Sequence, residues 1–503
     1  MNFLGIKISK THLILVFILI FIFLLRLPSL YEPFWYGDEG IFGAVGRNLN
    51  LGGTLYQTAW DNKPPMIYLT YAAIFQLFGV SMFWLRLVTL VVVLSTACAI
   101  YEIARAILGG RRALVATFVF GVLTSLRLIE GNLSLTEIFM ILPISLAMLV
   151  ALKRNFDNLS LFVAGFLFAL ASLYKQVGAF EAAALGVYLF FISKSFLDFI
   201  KKGIFLASGF AVPYLATLGY FFHKHLVSDY IFAAYTYYRI YLSESPKYAQ
   251  LITVLKFLPI IAAFFYAFFK RFGYRVWYVF SMKGEAIEPF HLLLLWCAFS
   301  FLGSYFSGRA YGHYLVQATP ALSLLIASIS LRVKLGREQV VFGVVFFGSL
   351  LFLTRLLFFD AFSSQGPINQ LKYYKNFLTY ARGLESVSAN NDFFDRNVNT
   401  IAALSDFLDA EGARGKNVYI WGDVAWLYAI SDLKNPSRYV TSFHVFGVPS
   451  GKEEVGANLS SNMPVFVIKM PSSVGTFGQL EDLLATKYTS MLSVDGAEIF
   501  KLK

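Results

Sequence analysis

The chain has 503 residues, of which 57% are hydrophobic, 18% aromatic and only 14% charged. A soluble globular protein carries about 25% charged residues, so a wholly soluble fold is excluded and a polytopic membrane protein with one more polar C-terminal portion is expected. The formal net charge of +12 does not point to nucleic acid. The basic residues cluster in short connections between apolar runs, where they orient membrane helices. Cys98 and Cys297 lie far apart inside apolar runs. They offer neither a disulfide framework nor metal-ligand spacing, and both read as buried packing residues.

The N-terminus carries Lys7 and Lys10 before an apolar run from Leu13 to Leu25, followed by Arg26, Pro28 and Tyr31. With no small-residue cleavage site after it, this run reads as a retained first transmembrane helix. Runs that can cross a bilayer need roughly 20 apolar residues, and by that rule about eleven spans are expected. They fall near 11–30, 83–107, 112–130, 134–153, 159–175, 178–193, 201–222, 252–270, 290–307, 312–331 and 338–359. The two that meet near Lys175–Gly178 could equally form one kinked helix.

Alternation from a cytoplasmic N-terminus makes every inner connection basic. These connections hold Arg111 and Arg112; Lys153 and Arg154; Lys194, Lys201 and Lys202; Lys270, Arg271, Arg275 and Lys283; and Arg332, Lys334 and Arg337. That is the pattern positive-inside orientation requires. The loop Trp35–Ser81 and the residues after 359 then face outward.

Within that outer loop, Asp38–Leu49 has apolar Ile41, Phe42, Val45 and Leu49 at helical spacing. Asp38 and Glu39 stand at its N-terminal end, where a helix favours negative charge. Pro64–Pro65 opens a second helical pattern, Met66–Phe78, too short to span and read as lying along the membrane surface. The sequence therefore divides into a membrane module, 1–359, with an outer loop over 31–82, and an extracytoplasmic α/β domain, 360–503. In the latter, β-type runs appear at Val418–Trp421, Val465–Lys469 and Glu498–Lys501, with a helix over Thr400–Leu408 capped by Asn399. No nucleotide-binding glycine motif, internal repeat or low-complexity tract is present.

Acidic groups at the edge of a hydrocarbon layer are costly unless paired or used in chemistry. Asp38–Glu39 is a helix-start acidic pair or, in a partly desolvated setting, a proton acceptor. Lys63, in Asp61-Asn62-Lys63-Pro64-Pro65, is part of a rigid turn or a cation for an anionic headgroup. Glu137 opens an apolar run in a capping pattern, and Lys175 reads as a snorkelling lysine. Arg309, Tyr311, His313 and Tyr314 resemble an aromatic belt with a cation. A structural role explains each alone. Topology gathers Asp38, Lys63, Glu137, Lys175 and Arg309 at one face, which suits a lipid phosphate stabilised by cations and a hydroxyl deprotonated by a carboxylate. His223 and His225 lack a third ligand for a metal.

An outer-loop Asp-Glu pair, Lys63-Pro64-Pro65, an acidic helix start, Lys175 and a late His313-Tyr314-Leu315 with Pro320 occur in an order that resembles one family. It is the GT-C fold membrane glycosyltransferases of the protein O-mannosyltransferase and aminoarabinose-transferase superfamily, matched over about residues 10–330. The resemblance implies a mainly helical GT-C fold and inverting transfer of a sugar from a polyprenyl-phosphate donor to an extracytoplasmic glycan, lipid or protein. It makes Asp38 the general base, with Glu39 as its motif partner and Glu137 as the second acid. It places Lys63, Lys175 and Arg309, with His313 and Tyr314, at the donor phosphate. The location implied is the cell (inner) membrane, with the site outside.

Two departures matter. Gly40-Ile41-Phe42 replaces an Arg-bearing stretch after the pair, and Asn62 stands where aminoarabinose-type members carry a metal-ligating carboxylate. No metal is therefore assigned, with a divalent ion left as an open alternative. A transporter or flippase of lipid-linked sugars is the competing reading, and it would place charges at the bilayer midplane within repeated halves.

Overall fold

The structure, a computed structural model, describes residues 2–3, 6–7, 10–243, 255–272, 274–276, 280–282, 288–309, 311–330, 337–364, 367–471 and 475–503. It is mostly helical, with a small C-terminal sheet. Four described helices are long and apolar enough to cross a membrane: Lys10–Tyr31, Met82–Leu108, Thr136–Lys153 and Phe196–His223. Shorter apolar helices include Met66–Phe78, Asn158–Tyr174, Gln176–Ile192 and Pro289–Tyr305. The protein is integral to a membrane.

Each expected span falls on helix. The run 312–331 is a 3-10 stretch, Gly312–Ala318, followed by the α-helix Thr319–Ser330. The spans meeting at Lys175 are separate helices, because Lys175 is extended (φ −153°, ψ 131°) and a 3-10 turn, Gln176–Ala179, follows. Residues 252–254 of one span, the loop residues 244–250, and the expected inner cations Lys283, Arg332 and Lys334 lie outside the described residues. Cys297 is buried as expected, whereas Cys98 is exposed on the flank of its helix.

Contacts group the chain into two compact units, each made of several stretches. The first holds 1–27, 89–219 and 244–371. Its core is aliphatic and aromatic, with Phe120, Met140, Ile144, Phe168, Leu185 and Trp296 among the side chains withdrawn from solvent. Arg26 closes the first helix here, donating to the carbonyls of Thr124 (2.6 Å) and Gly131 (2.8 Å). It satisfies a loop that has no ladder of its own.

The second unit holds 28–88, 220–243 and 372–503, so the outer-loop segment clusters with the polar C-terminal region. Its sheet has the order Val418–Trp421, Phe466–Lys469, Ala497–Leu502, Tyr488–Val494, with the first pair parallel and the others antiparallel. The strand Tyr488–Val494 escapes the sequence pattern because its residues after Tyr488 are largely exposed and mixed in polarity. Asn399 does not cap a helix. The helix runs Asn397–Ala410, and the Asn399 amide instead donates to Ser388 and Asp392, tying in the preceding helix Val387–Phe394.

The helix Gly37–Asn50 packs on this C-terminal region through Trp426. The indole nitrogen donates to the Tyr36 carbonyl at 3.1 Å, and the ring lies 4.8 Å from that of Phe34. A Cβ at Gly40 or Gly43 would stand 2.9 or 2.7 Å from the Trp426 ring. The Gly40 departure noted in the sequence therefore has a packing cause. Gly43→Leu should destabilise this unit by about 1–3 kcal/mol, read as a lower melting temperature of the full chain in detergent than that of a Gly219→Ala control, an exposed helical position where a Cβ meets nothing within 4 Å.

Candidate active site

Asp38 and Glu39 occupy the first turn of Gly37–Asn50 but sit in opposite environments. Glu39 is completely buried. Its carboxylate is held by both terminal nitrogens of Arg86, at 2.8 Å for Nη2. Arg86 Nη2 also reaches Glu32 at 3.0 Å, and Glu32 accepts from the Trp35 indole (2.9 Å) and the Tyr373 hydroxyl (2.6 Å). Two buried carboxylates thus share one guanidinium, and neutral donors complete Glu32. Asp38 is partly exposed and, among the described residues, its carboxylate has no hydrogen bond or ion pair. Glu39 is thus committed to holding the helix start, and Asp38 is available to solvent or substrate.

Lys63 is half-buried on the turn before Met66–Phe78, and its ammonium donates to Asn62 Oδ1 at 2.6 Å. Its backbone is fixed at both ends: its carbonyl accepts from Tyr56 Oη (2.6 Å) and its N–H donates to Tyr68 Oη (3.1 Å). Tyr68 in turn donates to Asp61 Oδ2 at 2.7 Å. Burial would raise the Asp61 carboxyl, but the Lys63 charge and donors from His444 and Tyr68 outweigh it and hold it well below the usual carboxylate range. Burial, then the Asp61 charge, push the Tyr68 phenol far up, so it stays a neutral donor.

In the first unit, Glu137, Lys175, His313 and Tyr314 come together. The Lys175 ammonium pairs with Glu137 Oε1 and lies 3.5 Å from the centre of the Tyr314 ring. Glu137 does not cap its helix as the sequence pattern suggested. Thr136 Oγ1 donates to its carboxylate at 2.8 Å, and Leu135 at the cap position supplies no side-chain bond. Lys175 is buried and paired rather than snorkelling. His313 is fastened by Glu130, whose carboxylate meets its Nδ1 at 2.5 Å and its backbone N–H at 3.3 Å. Arg309, half-buried, lies on the turn after Pro289–Tyr305 and donates its backbone N–H to Ser307 Oγ at 3.2 Å.

The sequence-derived candidates therefore divide between the units: Asp38, Glu39 and Lys63 in one, and Glu137, Lys175, Arg309, His313 and Tyr314 in the other. Sequence reasoning missed Arg86, Glu32, His444 and Glu130, and gave Asp61 no role beyond its place in the Lys63 turn. Arg86 had a signal, being a cation four residues into an apolar span. It also missed Glu181, completely buried, which accepts from Ser300 Oγ (2.9 Å) and Gln317 Nε2 (2.9 Å). Gln317 donates as well to the Val177 carbonyl (3.1 Å), bracing the turn that follows Lys175. Among the described residues no group of three or more His, Cys, Asp or Glu could hold a metal ion.

Two measurements check this geometry. Arg86→Leu leaves two buried carboxylates unpaired and should cost about 3–5 kcal/mol, with much of the loss recovered in the double variant Arg86→Leu/Glu39→Leu, both read by thermal unfolding of the purified chain. Asp61 has a folded pKa below its unfolded value of about 3.9. Its stabilisation is complete above that value and is lost as pH falls through it toward the folded pKa. The melting-temperature gap between wild type and Asp61→Asn should narrow as pH drops below about 4.

Residues 62–221 match the family model described as dolichyl-phosphate-mannose-protein mannosyltransferase. Lys63, Glu137 and Lys175 lie inside that segment. An uncharacterised protein of Aquifex aeolicus (strain VF5) is 22% identical over 313 residues, 59% of this chain and 60% of the relative, so the chain spans three fifths of the curated relative it matches. Among solved structures, ArnT from Cupriavidus metallidurans bound to undecaprenyl phosphate superposes with a TM-score of 0.57 at 14% identity, covering 98% of both chains. Its apo state gives the same TM-score at 15% identity, again over 98% of each. The chain has the GT-C fold, and it resembles the protein O-mannosyltransferase and aminoarabinose-transferase superfamily of glycosyltransferases.

Proposed function

We propose that this protein is an inverting glycosyltransferase that moves a sugar from a polyprenyl-phosphate donor to a hydroxyl of an extracytoplasmic glycan, lipid or protein. The observation that carries the reading is the contrast within the acidic pair: Glu39 buried and bound to Arg86, Asp38 partly exposed and uncommitted. A catalytic base must reach the proton it takes, and a rigid helix start with one free carboxylate meets that need. The family match, and the undecaprenyl phosphate bound to the ArnT of similar fold, support a lipid-phosphate donor.

In this scheme the acceptor oxygen attacks the anomeric carbon as the bond from that carbon to the phosphate oxygen breaks. Asp38 takes the acceptor proton, and the bonding pair leaves on the phosphate. Lys63, in the unit that holds Asp38, offsets the growing phosphate charge. Within the first unit Lys175 and Arg309 are cations suited to a phosphate, with His313 and Tyr314 alongside Lys175 and Glu137 orienting its ammonium. The scheme places no metal, since the Asn62 amide oxygen already accepts from Lys63 and brings no charge. The membrane module, 1–359, carries the spans, and the loop over 31–82 and the domain 360–503 face outward.

Asp38→Asn should reduce transfer by at least about 100-fold, in line with the loss of a general base, while undecaprenyl phosphate still binds the purified protein. Substantial retained transfer would remove the base assignment. For sidedness, in a cysteine-free background Gln57→Cys should react with an impermeant maleimide on intact cells and Arg111→Cys only after permeabilisation. The reverse pattern would invert the topology.

A further inference from the structure

Residues 60–63 are docked on the C-terminal region of their own unit. The Trp60 backbone N–H donates to the Arg438 carbonyl at 2.8 Å, and its ring meets those of His444 and Tyr439 edge-on at 5.1 and 5.7 Å. His444 Nε2 lies 3.3 Å from Asp61 Oδ1, and both side chains are almost completely buried. His444 Nδ1 is buried with no hydrogen-bond partner among the described residues, so the ring proton belongs on Nε2, aimed at Asp61. The other Asp61 oxygen takes the Tyr68 hydroxyl, and the Lys63 charge acts on the same carboxylate.

We propose that His444 is a positioning residue for Lys63, acting through Asp61, so that the C-terminal region forms part of the donor-phosphate side of the site. This rests on the reading that Lys63 engages the donor phosphate. A buried carboxylate draws in whatever donors it can reach. With Tyr68 and His444 each satisfying one oxygen, Asp61 steadies the Lys63 turn without claiming the ammonium. Remove the imidazole donor and the vacant oxygen competes directly with a phosphate for Lys63.

The test uses the full chain in lipid nanodiscs, with undecaprenyl phosphate as the probe and hydrogen exchange read over residues 60–68. His444→Ala should speed exchange of these amides and weaken lipid-phosphate binding about tenfold, the scale of one lost charge-assisted hydrogen bond. His444→Gln, which can return an N–H near the Nε2 position, should restore both. If His444→Ala does not fold, His444→Asn serves, because its amide falls short of Asp61 and should show the same weakening. Unchanged exchange in His444→Ala overturns the proposal. So does wild-type binding in His444→Ala when Lys63→Ala is weakened, which leaves the phosphate reading standing. Wild-type binding in Lys63→Ala overturns the phosphate reading itself and the proposal with it.

Discussion

A guanidinium and two carboxylates with no access to water fasten the start of the helix that bears Asp38. Arg86 bridges Glu39 and Glu32, and the side chains of all three are fully buried. Burying such a group is tolerable only when each carboxylate reaches the guanidinium and the spare oxygens have donors. Trp35 and Tyr373 supply those donors to Glu32. Tyr373 lies on the helix Pro367–Ala381, so the network reaches from the beginning of the second unit into its C-terminal stretch. The adjacent Asp38 gains a fixed backbone from this arrangement without giving up its own carboxylate.

The same logic recurs around Lys63. Two phenols fix its backbone, and Tyr68 and His444 each face one oxygen of Asp61. In the first unit, Lys175 is oriented by Glu137 and laid on the Tyr314 face, while Glu130 secures His313. Lys63 and Lys175 thus each have a less exposed carboxylate neighbour, Asp61 and Glu137. Rigid support of this kind is what holds a polar group in one place at the margin of an apolar layer.

Much of this was legible before any coordinates. Long apolar runs with basic connections announced the helices, because hydrophobic length and charge asymmetry are local properties of the chain. The helix Gly37–Asn50, the helix opened by Pro64–Pro65 and the strand Val418–Trp421 could be read from spacing and punctuation alone. The aiming residues could not. Arg86 is 47 positions from Glu39, and His444 joins Asp61 from the far end of the chain. No periodicity encodes such pairings. Asn399 shows the same limit on a smaller scale: a good capping residue by type, it is drawn into a side-chain network with its neighbouring helix.

The central claim is that these residues serve sugar transfer from a lipid phosphate. The most direct measurement incubates the purified full-length protein with a panel of radiolabelled polyprenyl-phosphate sugars and candidate acceptors. The account predicts acceptor-dependent release of the free polyprenyl phosphate for at least one sugar, with inversion at the anomeric carbon of the product. Transfer with retention of configuration, or movement of intact lipid-linked sugar across the bilayer without cleavage, would contradict it.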